Sequence, residues 1–297
     1  MSTPEIAVIT DELEEKRSLV AKTWDLCRRQ PLGAAGALIV IVMMVAAALA
    51  NVVSAYDPEL NDLEHMLEGP NAWHWMGTDE FGRDILTRII YGARTALAIG
   101  FTAAFLGATG GLVLGVASAY FGGIIDLIVQ RIVDVVMAFP LIIMALVVVA
   151  TLGPGTENVI IAITIPFIPQ CARVVRSSAL SIREIPYVDA ARALGFSNGR
   201  IILRHMVPNV MAPYLIMLTA FVGQAILLEA VLSYLGMGVQ DPTPAWGLML
   251  KGGAEEFLES APWVSIFPGL AISLAVFGFN LFGDALRDVL DPKLRRM

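Results

Sequence analysis

Charge is scarce in this 297-residue sequence: charged residues make up 16% of it, against about a quarter in ordinary soluble chains. Hydrophobic residues reach 57% and the mean hydropathy is +0.71. A soluble domain of this size could not bury so much apolar surface and still cover itself with polar groups, so a lipid bilayer is the expected solvent. Lysine is scarcer still, with four in all, preceded by Glu, Ala, Leu and Pro. A Walker-type phosphate loop needs Gly-Lys, with backbone amides and the lysine cradling the phosphates. ATP hydrolysis by such a loop is thereby excluded, and uphill movement of a solute would draw on an ion gradient or on another subunit. The three histidines (His65, His74 and His205) share no ligand-like spacing, and neither H-E-x-x-H nor G-x-S-x-G occurs. The two cysteines, Cys27 and Cys171, fit no disulfide framework and no metal spacing. A non-enzymatic chain with no catalytic residues, cofactor or metal of its own is expected. With 20 basic residues against 27 acidic, a net charge of -7 and a pI near 5.0, nucleic acid is not an expected partner.

What is abundant is long charge-free sequence, and about 20 apolar helical residues cross a bilayer core. Charge-free stretches of 27, 31, 22, 24 and 24 residues follow Arg29, Arg94, Asp134, Arg204 and Glu259. The 15 residues between Glu157 and Arg173 read as a further span, because Val174 and Val175 follow and Arg173 and Arg176 can snorkel to the headgroups. The fold class is therefore all-α, a polytopic membrane protein with six transmembrane helices. Placing the N-terminus in the cytoplasm puts 16 of the 20 basic residues on the inner side, which fits the positive-inside rule with both termini cytoplasmic. The first 30 residues are charged and carry no cleavage-site pattern, so no secretory signal peptide is expected.

The chain divides into a cytoplasmic N-terminal segment (1–31), a first span (32–54), an extracytoplasmic loop (55–92), a five-helix core (93–286) and a cytoplasmic tail (287–297). Within the first segment, Leu13, Leu19, Val20, Trp24 and Leu26 recur at helical spacing among charges. Residues 11–29 fit either an interfacial amphipathic helix or a loosely ordered tail.

The polar loop at residues 181–208 carries helix signals. Pro186 suits a first turn, Asp189 places negative charge near the N-terminal end, and Ala190, Ala191 and Ala193 favour helix. Gly195 is a stop, Ser197 a cap for a second helix, and Pro208 its expected end. Two short helices at an angle make a rigid knob suited to a protein groove.

In this loop Asp189-Ala190-Ala191 is followed by Gly195 and then by His205-Met206-Val207-Pro208. The spacing resembles the E-A-A, x3, Gly, x9, I-x-L-P pattern of the permease subunits of ABC importers, with Asp for Glu, His for Ile and Val for Leu. Ala190-Ala191-Arg192-Ala193 with Gly195, and Arg204-His205 with Pro208-Asn209, look like the dipeptide, oligopeptide and nickel branch. So do Gly77 through Asp84, Tyr91-Gly92-Ala93-Arg94, Ala138-Phe139-Pro140, Pro242 through Gly247, and Gly283 through Asp288 with Asp291-Pro292-Lys293. These match its second, C-type permease in order from about residue 25 onward. The resemblance implies a type I ABC-importer permease fold in a bacterial inner membrane. It also implies a homologous second permease subunit, two ATPase subunits carrying ATP and Mg, and an extracytoplasmic substrate-binding protein. Asp189, Ala190, Ala191, Arg192, Gly195, Arg204, His205 and Pro208 would form the coupling segment seated in an ATPase cleft. The implied cargo is a di- or oligopeptide; nickel, glutathione or an opine-like compound stay open as alternatives. An ion-coupled secondary transporter or channel subunit is the rival reading, and it gives the knob no role.

Outside the loop, Glu229 near the outer end of the fifth span and Gln224 before it are candidates for a pathway or gate, with a plain water-facing acid as the alternative. Asp79, Arg83, Asp84 and Trp246 are candidate outer-loop contacts, and Asp84 and Arg88 have the i, i+4 spacing of a salt-bridged helix start. Arg131 and Asp134 are expected to pair with each other or a neighbour. The glycines of the second span are expected to pack within the bundle. Pro140, Pro166 and Pro169 are expected to kink spans three and four.

Overall fold

A computed structural model describes residues 27–28 and 30–290. Apart from Cys27 and Arg28, the expected interfacial helix over 11–29 lies outside the described residues, as does the tail from residue 291. Among the described residues the chain is helical with no strand, a single isolated bridge joining Thr78 to Asp84.

Five helical stretches are long and apolar enough to cross a membrane. Helix α1 (Pro31–Ala48) opens on Pro31, whose missing amide costs nothing in a first turn. Helix α2 (Ile85–Phe121) has 37 residues and is about 55 Å long at 1.5 Å per residue, well beyond a bilayer core. It takes in the last eight residues assigned to the outer loop (85–92), because Asp84 accepts from the Thr87 amide and caps it. Helix α5 (Thr156–Arg183) contains both Pro166 and Pro169 within one continuous helix. Helix α8 (Met211–Tyr234) and helix α10 (Trp263–Leu290) complete the set.

The third span departs from expectation. Instead of one helix over the charge-free stretch, helix α3 (Gly123–Met137) and helix α4 (Leu141–Leu152) meet at 90°. Pro140 supplies the break: it has no amide to donate and adopts an extended conformation (ψ 135°) before α4. Counting the bent pair as one span gives six.

Close packing follows from small residues. Gly107 rests on Phe167, Gly111 on Ile168 and Ala172, and Gly115 on Ala172 and Arg176, so α2 and α5 run parallel with their backbones in contact. The span-two glycines thus serve packing inside the bundle, as expected. Phe167 stacks on Phe221 of α8 with ring centroids 4.2 Å apart. Helix α1 lies antiparallel to α10, with Gly33 against Ala285 and Gly278 against Ile39.

This order gives the bundle two distinct ends. One, the loop end, holds the segment before α2 and the turn after α8. The other, the knob end, holds residues 184–210 together with Pro31 and Leu290. Helix α3 is joined to α5 near the knob end by ion pairs: Asp126 takes a bidentate pair from Arg176 (2.6 and 2.5 Å), and Asp134 pairs with Arg173 (2.5 Å) and more distantly with Arg131 (4.0 Å).

Candidate functional site

At the knob end, helix α6 (Pro186–Ala193) begins on Pro186 and turns Val188 and Ala191 into the protein. Asp189, Ala190, Arg192 and Gly195 all lie on its exposed side. Gly195 has φ +75°, its amide donates to the Arg192 carbonyl (2.9 Å), and the Phe196 amide donates to the Ala191 carbonyl (3.1 Å). That pair of bonds is the Schellman closure, which satisfies carbonyls the helix would otherwise leave open. Helix α7 (Asn198–Ile201) follows, with Ser197 at its N-cap but making no side-chain cap bond.

Pro208 does not end this second helix. The chain continues from α7 through a π turn (Ile202–Met206) and a 3-10 turn (Val207–Val210) directly into α8. The 3-10 turn absorbs the lost amide, since Pro208 stands in its first positions, where no donor is required.

Side chains fix the knob's shape. Tyr187 Oη donates to the His205 carbonyl (3.0 Å), and Asn209 Nδ2 donates to the same carbonyl (2.6 Å) and to Tyr187 Oη (3.1 Å). Arg200 covers the Phe196 ring at 4.1 Å, and Phe196 faces His205. Tyr120, at the end of α2, donates to Asn198 Oδ1 (2.8 Å), while Arg192 pairs with Asp189 (3.1 Å) and lies over the Tyr120 ring. Arg204 and Pro208 are exposed and His205 is half-buried. Two leucines project from this surface, Leu194 at 74% exposure and Leu203 at 68%. Sequence reasoning missed Tyr187, Tyr120 and Asn198, and it met Asn209 only as the last residue of a resembled motif. Tyr187 and Asn209 had a local cue, flanking the motif's two ends; Tyr120 and Asn198 are 78 positions apart and had none.

At the loop end, the expected outer contacts are interior residues. Asp79, Arg83, Asp84 and Trp246 are all buried. Arg83 Nε donates to Asp79 (2.7 Å) and its Nη1 to Asp241 (3.1 Å). Arg88, 1% exposed, lies 3.6 Å from Asp79 and 3.8 Å from Asp241 and donates to the Pro58 carbonyl (2.7 Å). The Asp84–Arg88 pair suggested by spacing does not form; Asp84 is occupied by its cap and by His74 (3.0 Å). Trp246 donates to the Ile89 carbonyl (3.0 Å) and packs on Gly92, where a Cβ would come within 2.7 Å of its ring. These residues tie the connecting segment and the turn after α8 onto α2. A guanidinium buried in this way needs its acids, which is why they are not free on the surface. Burial also pushes the Glu80 carboxyl above its ordinary range. On the exposed part of the loop, the hydrogen bond that His65 Nδ1 donates to the Asp62 carboxylate (3.0 Å) raises the imidazole above its ordinary value.

Glu229 is likewise inside the protein, 1% exposed, accepting from Ser233 Oγ (2.7 Å), which in turn accepts from the Val239 amide (3.2 Å). It anchors the turn after α8 and does not line an open surface in this structure. Gln224 is exposed on the same helix.

Residues 111–296 match the family described as binding-protein-dependent transport system inner membrane component. The chain belongs to this family. It is 44% identical over 268 residues to a dipeptide transport system permease protein, DppC, of Alkalihalophilus pseudofirmus, covering 90% of this chain and 88% of that one. It is 43% identical over 273 residues to the glutathione transport system permease protein GsiD of Escherichia coli, covering 92% and 90%. An inward-facing structure of the MetNI methionine ABC transporter shares the fold, with a TM-score of 0.56 at 20% identity over 70% of this chain and 98% of that one. The permease is thus a multi-pass membrane subunit of an ABC importer, with the helical fold of that class.

Proposed function

We propose that this permease forms half of the translocation pathway for a di- or oligopeptide or a glutathione-like solute, in a complex energised from the knob end. The observation that carries the reading is the knob: an amphipathic helix anchored by Val188 and Ala191, closed by Gly195 and presenting Leu194 and Leu203 outward. In the proposed complex these leucines, with Ala190, Arg204 and Pro208, enter a cleft of an ATPase subunit that holds ATP and Mg. Closure of an ATPase dimer would push the knob, and α5 and α8, which flank it, would tilt with it. A stiff connector is required because a soft one would absorb the displacement. A second permease and a substrate-binding protein complete the assembly, the latter at the loop end. The knob end and both termini are cytoplasmic in this reading, in a bacterial inner membrane. Gln224 is exposed on α8 and is assigned to the face turned toward the pathway.

The test is affinity purification of the tagged chain from native membranes, with mass identification of its partners. Recovery of a second six-helix permease and P-loop ATPases is expected. A chain recovered alone, or only with itself, under gentle detergent would overturn the reading in favour of an ion-coupled transporter.

A further inference from the structure

Between the connecting segment, α2 and helix α9 (Trp246–Glu256) lies a half-open cavity of about 510 Å³ at the loop end. That volume is within the range of small-molecule sites. Its charged lining falls into two groups. Asp79, Arg83 and Asp241 satisfy one another in the ion pairs described above. Arg88 is turned to the same two acids. The rest is unpaired: among the described residues no ion pair engages Glu80, Lys251, Glu255 or Glu256, the Glu80 carboxylate meeting only its own backbone amide.

These groups share one cavity. Glu80 Oε1 lies 2.7 Å from where a Cβ on Gly252 would stand, so its carboxylate rests against the α9 backbone next to Lys251. Gly252 leaves the room that a larger residue would take from that carboxylate. Lys251 lines the same cavity, its Nζ 3.5 Å from where a Cβ on Gly236 would stand, so the cavity offers a carboxylate and an ammonium that do not pair with each other. A simple cation would meet Lys251, and a simple anion would meet Glu80, Glu255 and Glu256. A molecule with both charges satisfies both sets, and a carboxylate partly withdrawn from water gains most from an incoming ammonium.

We infer that this cavity binds a small zwitterion, an amino acid or short peptide with both ends free, its ammonium on Glu80 and its carboxylate toward Lys251. The inference rests on the importer reading above, in which the loop end is where solute arrives. It adds that the permease selects charged peptide ends itself.

The test is calorimetric titration of the full chain in lipid nanodiscs with L-alanyl-L-alanine and with its N-acetyl and C-amide derivatives. Saturable binding is expected, weakened about tenfold by capping either end. Glu80→Gln should remove the penalty for acetylation and Lys251→Gln the penalty for amidation, with melting temperature checking that each variant folds. Equal affinity for free and capped peptide, or no binding at all, would overturn the inference on the wild-type chain alone, whatever the variants do. So would variants that bind peptide normally and instead lose a substrate-binding protein from the complex, which would make the cavity a protein-docking face. ATP-dependent uptake into membrane vesicles is measured in parallel. Uptake that persists without peptide binding to the cavity refutes this inference and leaves the importer reading standing, whereas its absence in the wild type refutes that reading.

Discussion

Replacing Gly195 isolates the contribution of the knob's closure. Its φ of +75° lies in the left-handed region, and a Cβ built there meets nothing within 4 Å. A larger residue therefore meets no clash, and the cost is the backbone's own. For a residue with a Cβ that cost is about 1–2 kcal/mol, while Asn tolerates the conformation more readily. Against it stand two backbone bonds, Gly195 to Arg192 and Phe196 to Ala191, each with a net worth of about 0.5–1.5 kcal/mol. The terms are comparable, so Gly195→Val should open the closure in a sizeable fraction of molecules. By the tenfold-per-1.4 kcal/mol rule, 1–2 kcal/mol corresponds to about a 5–30-fold loss of protection at the amides of residues 195 and 196, read by hydrogen exchange. Gly195→Asn should stay close to wild type. In the reconstituted complex, substrate-stimulated ATPase activity should fall in the valine variant and survive in the asparagine one. Unchanged protection and unchanged stimulated activity in Gly195→Val would refute the argument. Equal damage from both substitutions would refute it too, because the defect would then not come from the left-handed backbone.

Gly111→Leu should wedge α2 from α5, since even a Cβ at 111 would stand 2.7 Å from the Ile168 carbonyl oxygen; a loss of about 1–3 kcal/mol is expected, seen as a lower melting temperature in detergent, whereas Gly199→Ala, with open space around it, should match wild type. Arg88→Met takes the donor from the Pro58 carbonyl and a buried cation from beside Asp79 and Asp241, while Asp79 keeps Arg83 at 2.7 Å, so a destabilisation of about 1–3 kcal/mol is expected in thermal unfolding. Asp126→Asn removes the bidentate pair with Arg176 and should raise exchange across α3 with little change in α2. The raised His65 imidazole stabilises its loop fully below the unfolded value of about 6.5, and that contribution is lost as pH rises through the higher folded value. Exchange at residues 62–67 should therefore quicken over that rise, and His65→Gln should flatten the profile.

The bundle and the knob were legible in the sequence because hydrophobic run length and local helix punctuation are short-range signals. The stretch after Arg29 reads as a span whatever it packs against, and the Gly195 stop is set by its own backbone. The misreadings arose where the deciding partner was distant. Asp84 and Arg88 have the spacing of a pair, yet the partners that claim them include His74 and Asp241. Glu229 looked like a lining residue because a lone acid in an apolar run is costly, but Ser233, one turn on in α8, donates to it, and the turn after α8 folds back to set the Val239 amide on Ser233. Pro208 looked like a terminator because the pattern of residues does not foretell the π and 3-10 turns that carry the helix past it.

The three ends that meet behind the knob suggest how its displacement reaches the bundle. Within four residues of α2, Ser118 contacts Asp126 of α3, the Ala119 carbonyl accepts from Arg183 of α5 (2.8 Å), and Tyr120 holds Asn198 of α7. Asp126 is in turn clamped by Arg176 of α5. Helix α3 contributes little apolar grip of its own: Val133 is buried, whereas Ile124, Leu127, Ile128, Ile132 and Val135 are exposed. Its attachment to the rest is therefore mainly polar and directional. Polar links of this kind have discrete arrangements and can exchange partners, while the glycine-packed seam between α2 and α5 has no slack to deform. In the proposed coupling, a force on the knob would pass through the α2 end and α5 as a unit, and α3, bent from α4 at Pro140, would be the element to move against them.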